Sequence, residues 1–579
     1  MARDRIMMDK KAVAKALERI ASLLELKGEN PFRVRAFTTA EHAVSSLSGT
    51  LEDALADGSL AGTKGVGPAT LQIVQELVKT GRSTVLEELQ EQVAPGLVEM
   101  LQISGLGVAK VRQIHETLRI ETIAELEESA RDGSLARLPR FGAKTAENIL
   151  KGITFLRQAS GFRLAHHARD EAETLSRALA ALPGVQWVEP SGEVRRRMEV
   201  VRELVLIVVA DVPPADLFER LARLPGVSEF SGRDERQVTL RFAGAGAARV
   251  VVTNPANAGS VMVRTTGNET HLEQLTAHAK QLGHSFDATA LWKGSTFVPT
   301  PDEDAVYRAL DLSTIPPELR EGHDEVARAA AGTLPTLIER SDLKGLLHCH
   351  SNYSDGGTSI EELALACKAE GYTWVGLTDH SQAAAYAGGL SPDDLQRQAD
   401  EVDRLNARLT GIRILKGIEA DILQGGAVDY GDEVLARLDF VIASIHSRFG
   451  MGREAMTARI CRAMEDPRVT ILGHLTGRLL LTREAYQLDQ DRIFEEAGKR
   501  GVAIEINADP QRLDLDWRVL PAARKAGVRI SIGADAHNTA GIRNMEFGVG
   551  IARKGWLTKG EVLNCLSADE FLAVARSRI

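Results

Sequence analysis

The chain has few of the residues that mark secreted or membrane-spanning proteins. It has four cysteines in 579 residues, at Cys349, Cys367, Cys461 and Cys565, and no Cys-x-x-Cys pair, which argues against a disulfide framework. No apolar run approaches the roughly 20 residues of a membrane helix, and the first residues lack the apolar core of a signal peptide. Aromatic residues make up only 4%, so we expect cores of Leu, Val, Ile and Ala. These absences predict a soluble protein of a reducing compartment, the cytoplasm.

An excess of basic charge is also missing. The chain has 70 Lys and Arg against 80 Asp and Glu, a formal net charge of -10. Residues 1–160 nevertheless carry 21 basic and 21 acidic side chains, so the entire net negative charge lies after residue 160. Net charge therefore does not exclude nucleic acid as a partner. The length predicts about three to five domains.

A short glycine turn that opens a helix recurs in the first 160 residues. The copies are Lys64-Gly65-Val66-Gly67-Pro68-Ala69-Thr70, Ser104-Gly105-Leu106-Gly107-Val108-Ala109-Lys110 and a weaker Pro139-Arg140-Phe141-Gly142-Ala143-Lys144-Thr145. Glycine lets the backbone approach a ligand, and a helix N-terminus presents free N–H groups to an anion. The pattern resembles the helix-hairpin-helix motif. It predicts sequence-independent contacts to DNA phosphates from Lys64, Gly65, Gly67, Gly105, Gly107 and Lys110; the alternative is tight turns in a helical bundle.

The middle third is predicted to be α+β, with strands near residues 200–209, 237–242 and 249–252. Residues 192–199, followed by Glu203-Leu204-Val205, are similar to the palm motif of family X DNA polymerases. Thr265-Thr266-Gly267-Asn268 and residues 315–322 are similar to later motifs of that family. With the hairpins, the resemblance to bacterial PolX proteins extends over nearly the whole chain.

The expected catalytic carboxylates of the palm are changed. The family has Asp-x-Asp where this chain has Glu203 and Val205, and we place its third carboxylate at Thr239 on the next strand. The family serine that contacts the triphosphate is replaced by Glu193. Valine cannot ligate Mg²⁺, which prefers carboxylates and water. We therefore expect little or no polymerase activity; the alternative is slow synthesis with Mn²⁺ and a substitute acid such as Glu199.

Arginines of the palm motif are candidate phosphate ligands. Arg195, Arg196 and Arg197 form a basic triplet directly after the altered glycine-containing turn. The alternative is a solvated basic edge. We expect Arg195 and Arg196 to contact DNA.

The last third repeats a strand-helix unit about every thirty residues, which predicts a parallel barrel. The apolar runs are residues 344–350, 372–380, 412–419, 439–446, 469–474, 502–507 and 529–537. Nearly every run ends in His, Asp or Glu, at the end of the barrel where chemistry gathers. The candidate metal ligands are His348, His350, Asp355, His380, Glu419, His446, His474, Asp535 and His537. Imidazole and carboxylate ligands in this number favour two or three ions such as Mn²⁺ or Zn²⁺ over Ca²⁺.

His348-x-His350, Thr378-Asp379-His380 and Asp535-Ala536-His537 resemble the motifs of the PHP (polymerase and histidinol phosphatase) domain. The resemblance implies a metal cluster that hydrolyses phosphoesters, and in bacterial PolX proteins a 3′-5′ exonuclease. Asp379 is predicted to orient His380 or to cap a turn. Arg448 and Arg478 are candidates to hold the substrate phosphate, with surface salt bridges as the alternative. Cys349 is expected to point away from the ligands.

The resemblance implies a DNA-repair protein that is associated with the nucleoid and acts on gapped or 3′-recessed DNA, with a cation at the hairpin turns as a further cofactor. The alternatives are a gap-filling polymerase with an auxiliary nuclease and a small-molecule phosphatase of the histidinol-phosphatase type. The expected fold is multidomain: helical DNA-binding domains, a polymerase-like palm and thumb, and a distorted (β/α)7 barrel. The expected boundaries are 1–88 and 89–160 for two helical domains, 161–255 for the palm, 256–315 for the thumb, 316–335 for a linker and 336–575 for the barrel.

Overall fold

The computed structural model describes residues 10–45, 47, 51–63, 65–103, 105–224, 227–232, 234–242, 246–287 and 289–578. The chain divides into two compact units, Met1–Ser160 and Gly161–Ile579. This division coincides with the boundary expected between residues 160 and 161, and the finer boundaries stay predictions. None of the described helices is long and apolar enough to cross a bilayer.

The first unit is helical. Its α-helices are Lys10–Leu26, Pro31–Ser45, Leu51–Ala56, Ser59–Gly62, Pro68–Thr80, Thr84–Gln92, Pro95–Met100, Val108–Leu118, Ile123–Arg131 and Ala143–Ala159. The apolar residue of each predicted glycine turn, Val66, Leu106 or Phe141, is buried in the common core of this unit. Each turn is thereby anchored by one apolar side chain, while its glycine positions stay at the surface.

The palm of the second unit is a five-stranded mixed sheet. Its strands are Val185–Ser191, Leu204–Ala210, Val227–Gly232, Gln237–Phe242 and Ala247–Thr253, and short strands Arg163–Leu164 and Val200–Val201 pair beside it. The α-helices of this region are Ala165–Ala180, Gly192–Arg195 and Pro214–Leu221. The strand Leu204–Ala210 is fully buried between the strands Val185–Ser191 and Ala247–Thr253, which explains its unbroken apolar sequence.

The sheet order corrects the placement of the third polymerase position. The strand Ala247–Thr253 lies between Leu204–Ala210 and Gln237–Phe242. Arg249 is therefore the cross-strand neighbour of Val205, and Thr239 lies opposite Arg249, one strand farther out. The prediction assumed that the strand with Thr239 is the direct neighbour of Leu204–Ala210. In the sheet, the strand Ala247–Thr253, which comes later in the chain, lies between them.

The thumb region follows the palm. It contains the α-helices Ala258–Thr266, Glu269–Gln281, Glu303–Ala309 and Glu325–Ala331, and an antiparallel sheet of His284–Phe286, Leu291–Lys293 and Thr296–Val298.

Part of the expected linker at residues 316–335 is packed into the protein. Leu319, Arg320 and Glu325 in this segment are at most 1% exposed. The Arg320 guanidinium pairs with Glu303, and Glu325 Oε1 lies 2.7 Å from His271 Nδ1. The charged composition resembled a solvated linker, but these charges are paired inside the protein.

The C-terminal region is a closed barrel of parallel strands, as predicted. The barrel strands, all within described sequence, are Gly345–Cys349, Trp374–Leu377, Arg413–Asp421, Phe440–Ser444, Val469–Leu472, Ala503–Asn507 and Ile530–Ala536. Its α-helices are Ile360–Ala369, Pro392–Arg408, Asp432–Leu435, Arg453–Ala463, Gln490–Arg500, Leu520–Lys525, Met545–Lys554 and Ala568–Arg576. The strands run in chain order around the barrel, so their carboxyl ends share one rim.

Candidate metal centre and nucleic-acid surfaces

The backbone at the barrel rim bends sharply at several predicted ligands. His348 (φ 59°), His474 (φ 22°) and Asp535 (φ 48°) all adopt the left-handed region, which is uncommon for residues with a side chain. The ladder beside His348 also shifts register between Leu347 and Cys349. Plain strand alternation therefore does not deliver these side chains to the centre. Such backbone strain is typical of functional sites.

The structure brings all nine predicted ligands together. Ligand atoms within each group lie within 4.8 Å of one another. The groups are His350 with Asp355, His380 and His537; His348 with Glu419 and His474; His348 with His350 and Asp535; and His380 with Glu419 and His446. Because the groups share members, they form one continuous cluster.

Glu419 lies at the centre of this cluster and is 1% exposed. Its Oε1 lies 2.9 Å from His474 Nε2 and 3.3 Å from the Nε2 atoms of His348 and His446. Its Oε2 lies 3.0 Å from His380 Nδ1. One carboxylate thus faces four imidazoles, an arrangement suited to bridging neighbouring cations.

The cluster opens to solvent on one side. His350 is fully buried, whereas the side chains of Asp355 and His537 are 33% and 39% exposed. His537 Nε2 lies 3.3 Å from Asp355 Oδ2 at this opening. A substrate would therefore reach the centre past these two residues.

Unpaired buried atoms fit a metal cluster. His348 Nε2, both ring nitrogens of His350, His380 Nδ1 and Glu419 Oε2 are buried without a hydrogen-bond partner. Buried polar atoms are normally satisfied, because an unmade hydrogen bond inside a protein costs about 1–3 kcal/mol. These nitrogen and oxygen atoms belong to side chains whose ligand atoms lie close together, and such N and O ligands fit Zn²⁺, Mn²⁺ or iron.

The charges around the centre are strongly coupled. Burial alone would lower the pKa of His380, but the charges of Glu419 and Asp355 raise it to about 10. Burial and the charge of His537 lower the pKa of His350 to about 4. The charges of the neighbouring imidazoles also hold the pKa values of Glu419 and Asp535 well below their ordinary values.

Two carboxylates that the sequence did not single out hold ligand rings from behind. Glu505 Oε1 lies 2.5 Å from His348 Nδ1, and Glu505 Oε2 accepts the backbone N–H of His474 at 2.7 Å. Asp421 Oδ1 lies 2.6 Å from His446 Nδ1. Such partners fix ring orientation and raise ligand basicity. Glu505 is an acidic residue inside the apolar run at residues 502–507. An acid at such a position was the signal in the sequence that could have identified it as a functional residue.

Asp379 holds a loop rather than a ring. It is fully buried and accepts hydrogen bonds from the N–H and hydroxyl of Ser351, from Ser354 and from Gln398. These contacts fix the segment between His350 and Asp355. Of the two predicted roles, the described hydrogen bonds agree with the turn cap, because Asp379 Oδ1 accepts the backbone N–H groups of Ser351 and Ser354, and they include no contact to His380.

The candidate phosphate ligands of the barrel are revised. Arg478 pairs with Asp516 at 2.6 Å and donates to the Arg512 carbonyl at 2.9 Å, so the salt-bridge alternative describes it. Arg448 is exposed in a left-handed turn just after His446. The guanidinium beside the cluster is instead that of Arg512, whose Nε lies 3.5 Å from Asp535 Oδ2.

Cys349 points away from the cluster, as expected. It is fully buried in the barrel core, and its thiol lies 3.4 Å from the Gly376 carbonyl. Burial raises the pKa of this thiol well above its usual value.

An ion pair between Arg249 and Glu203 lies on the polymerase-like face of the palm. Arg249 Nε lies 3.1 Å from Glu203 Oε2, and Arg249 also donates to Gln237 Oε1 at 3.2 Å. Val205 is 3% exposed and belongs to an apolar cluster that includes Val261 of the following helix. A guanidinium therefore lies on the strand next to Val205, and its positive charge would repel the ions that nucleotidyl transfer requires.

Glu193 does not face an open phosphate pocket. Its Oε2 accepts the backbone N–H of Arg202 at 2.6 Å and that of Glu203 at 3.3 Å. It therefore accepts hydrogen bonds from backbone N–H groups directly before the strand Leu204–Ala210.

Arg195 and Arg196, the predicted phosphate contacts, are both held in ion pairs in this structure, and their contact with DNA stays a prediction. Arg195 makes a two-pronged ion pair with Glu303, with both N–O distances 2.7 Å. Arg196 is 8% exposed, pairs with Glu321 at 2.9 Å and donates to the Thr266 carbonyl. Both guanidinium groups join the palm to the thumb, since their partners are acids in the following domain.

The hairpin turns have the geometry expected for phosphate contacts. Gly67 and Gly107 cap the helices Pro68–Thr80 and Val108–Leu118, and a Cβ at either position would meet open space. Gly65 and Gly105 adopt positive φ, of 103° and 84°. Lys110 Nζ donates to the Gly105 carbonyl at 2.8 Å. Lys64 lies outside the described residues.

The weaker third turn has the same backbone shape. Arg140 adopts φ 68° at the position of the first glycine, and Gly142 caps the helix Ala143–Ala159. The missing glycine therefore does not abolish the turn.

Four families match parts of the chain. They are the helix-hairpin-helix domain over residues 8–83, the SAM-like helix-hairpin-helix tandem over 97–154, the DNA polymerase beta thumb over 261–321 and the PHP domain over 347–509. Two of the matches are DNA-binding modules, and the PHP match includes His348, Glu419 and His474.

Relatives match the whole chain or a part of it. A probable phosphatase of Thermoanaerobacter pseudethanolicus is 27% identical over 235 residues, which is 38% of this chain and 91% of that protein. A probable phosphatase of Syntrophotalea carbinolica is 29% identical over 33% of this chain and 79% of its own length. The Bacillus subtilis protein named DNA polymerase/3′-5′ exonuclease PolX is 35% identical over 571 residues, covering 97% of this chain and 98% of that protein. Because this identity extends over nearly the full length of both proteins, this chain belongs to the PolX family.

Proposed function

We propose that the barrel hydrolyses phosphodiester bonds at DNA 3′ ends and removes nucleotides in the 3′-5′ direction. The observation that carries this proposal is the continuous cluster of nine ligands around Glu419, which opens to solvent at Asp355 and His537. The nine side chains are enough to hold two or three ions, and their N and O donors suit Mn²⁺ or Zn²⁺.

Divalent ions in such a site supply an activated water and neutralise charge that develops on a phosphodiester. The residues of the chain hold the ions and position the substrate. Glu505 and Asp421 fix the rings of His348 and His446. We infer that Arg512, next to Asp535, holds the scissile phosphate, with exposed Arg448 as a second contact.

DNA is held by the rest of the chain in this proposal. Backbone N–H groups at the hairpin turns contact phosphates without reading bases, which suits gapped or 3′-recessed ends of any sequence. The protein then works on the nucleoid in the cytoplasm. The cation expected at the hairpin turns stays a prediction.

The deciding experiment compares the wild type with Asp535→Ala and with the control Asp403→Ala, whose carboxylate is 65% exposed and pairs with Lys416. Metal content and release of nucleotides from 3′-recessed DNA are measured for each. We expect Asp535→Ala to lose bound metal and at least about 100-fold of activity, because it removes a ligand and a neighbour of Arg512, while Asp403→Ala resembles the wild type. Unchanged metal content and activity in Asp535→Ala would contradict the site.

A polymerase is the second candidate, because the Bacillus subtilis relative is named as one. Primer extension with Mg²⁺ and with Mn²⁺ tests it on the wild type and His348→Ala. We expect no robust extension, since Arg249 and Val205 face the place of the ions. Extension that survives His348→Ala would favour the polymerase.

A small-molecule phosphatase is the third candidate, because probable phosphatases are among the relatives. Faster hydrolysis of histidinol phosphate or other free phosphomonoesters than of 3′-recessed DNA would favour it. The hairpin turns and the thumb argue for DNA.

A further inference from the structure

An exposed tyrosine stands beside the open side of the metal centre. Tyr386 is 72% exposed, the most exposed aromatic residue described in the barrel. Its ring centroid lies 6.2 Å from that of His380 and 6.3 Å from that of His446. The ring of His380, like that of His537, also approaches Asp355 at the opening, with His380 Nε2 3.5 Å from Asp355 Oδ2. Tyr386 therefore flanks the route to the cluster.

The turn that carries Tyr386 is firmly held. The ring belongs to the short 3₁₀ turn Ala385–Ala387, between the buried residues Ala384 and Ala387. The Ala383 N–H donates to Asp429 Oδ2 at 2.8 Å, and the Gly389 N–H donates to the Ala384 carbonyl at 3.1 Å. The ring is thus presented to solvent by an ordered backbone.

Close packing forces this shape on the turn. A Cβ at Gly389 would lie 2.0 Å from the Ser381 carbonyl oxygen, so only glycine lets the chain return so tightly. Gly388 adopts φ 69°. The loop from Ser381 to Gly389 contains this turn and begins directly after the ligand His380, so only a few residues separate Tyr386 from the metal centre.

Asp355 and His537, which lie at the opening, are a carboxylate and an imidazole. They suit ions and phosphate oxygens, and they offer no flat apolar surface to a nucleobase. An aromatic ring does, because every base has a π-face that stacks on it regardless of sequence. In a chain with 4% aromatic residues, a large ring exposed on a rigid turn at this place is well suited to that contact.

We propose that Tyr386 is a stacking platform for the terminal base of a DNA strand whose 3′ end enters the metal centre. The inference rests on the proposed nuclease function and adds a specificity determinant to it: the enzyme senses that the terminal nucleotide carries a base. The ring acts through its face, so its hydroxyl is dispensable.

The test uses the full-length protein and two oligonucleotides that differ only at the 3′ end. One ends in a normal nucleotide and the other in an abasic tetrahydrofuran residue. The wild type is compared with Tyr386→Phe, Tyr386→Ala and the control Leu365→Ala, which removes another exposed apolar side chain, 45% exposed on the helix Ile360–Ala369. Release of the terminal residue gives kcat/KM for each end.

We expect Tyr386→Ala to lower kcat/KM for the base-bearing end by about tenfold, a typical effect of losing one stacked base. The abasic end should be unaffected, and Tyr386→Phe and Leu365→Ala should resemble the wild type on both ends. An equal loss on both ends in Tyr386→Ala, or a loss in Tyr386→Phe as large as that in Tyr386→Ala, would overturn stacking in favour of a structural role or a role of the hydroxyl.

A second readout does not need nuclease activity. Oligonucleotides with a 3′-terminal 5-iododeoxyuridine and a terminal phosphorothioate linkage, which slows hydrolysis, are irradiated with the metal-loaded wild-type protein, and crosslinked peptides are identified by mass spectrometry. A crosslink at Tyr386 supports the contact, and its absence when other residues crosslink overturns it. If the wild type releases no nucleotides, the proposed function fails, and the crosslink alone decides whether the ring meets a terminal base.

Discussion

A single carboxylate shows how tightly the metal centre is built from residues far apart in sequence. Glu505 is fully buried, and it contacts both the ring of His348 and the backbone of His474. A Cβ on Gly533, on the next strand, would lie 1.8 Å from Glu505 Oε1. The absence of a side chain at Gly533 is therefore what leaves room for the carboxylate.

We expect Glu505→Gln and Gly533→Ala to weaken metal binding about 10- to 100-fold, since each disturbs the partner that orients His348. Competition with a chromophoric chelator measures the affinity. The control is Gly425→Ala, because a Cβ at Gly425 would meet open space. Wild-type affinity in both variants would show that Glu505 does not support the ligand ring.

At the scale of elements, ion pairs join the palm to the thumb. The helix Gly192–Arg195 and the segment after residue 315 both send an arginine to Glu303 at the start of the helix Glu303–Ala309. Burial alone would raise the pKa of Glu303, but Arg320 and Arg195 lower it to about 2. The side chain is 13% exposed, so little solvent screens these pairs.

We expect Glu303→Gln to destabilise the second unit by on the order of 3 kcal/mol at pH 7, because it leaves buried guanidinium groups without their acid. The folded pKa lies below the ordinary 4.5, so this stabilisation is present above about pH 4.5 and is lost as the pH falls through about 2. Urea unfolding from pH 7 to pH 3, compared between wild type and variant, measures it.

The matched control for Glu303 is Glu219→Gln, whose carboxylate is 75% exposed and pairs with Arg223 across one helical turn. Exposed pairs of this kind contribute about 0–1 kcal/mol. A Glu303→Gln variant as stable as this control, with no change in pH dependence, would mean that the two arginines find other partners.

At the scale of the whole molecule, the proposed DNA contacts and the proposed hydrolytic centre lie in different units. The hairpin turns with Gly67 and Gly107 lie in the first unit, and the candidate metal centre lies in the second. The chain is acidic as a whole, so the proposed DNA binding depends on local N–H groups rather than on net charge.

The double variant Gly67→Val, Gly107→Val separates the two functions. Both residues have negative φ and open space at Cβ, so the new side chains fit the fold but keep phosphates away from the helix N-termini. We expect DNA to bind on the order of tenfold more weakly in fluorescence anisotropy, with unchanged hydrolysis of bis(p-nitrophenyl) phosphate. Gly62→Val is the control, and unaltered DNA affinity in the double variant would remove the hairpins from the DNA-binding surface.

The sequence by itself determined the architecture and the ligand types of the candidate site. Apolar runs of strand length that end in His, Asp or Glu predicted the barrel, and the structure confirms its strands. The glycine turns predicted helix starts that the structure has at Gly67, Gly107 and Gly142. These features are local, because backbone periodicity and turn chemistry are properties of neighbouring residues.

Only the tertiary structure decided which side chains meet across the molecule. It placed Arg249 rather than Thr239 beside Val205, set Glu505 behind His348, and paired Arg195 with Glu303. It also packed part of a predicted linker into a buried network around Arg320. The reason is physical: strand order and the pairing of charges depend on contacts between residues dozens to hundreds of positions apart, and no local pattern records them.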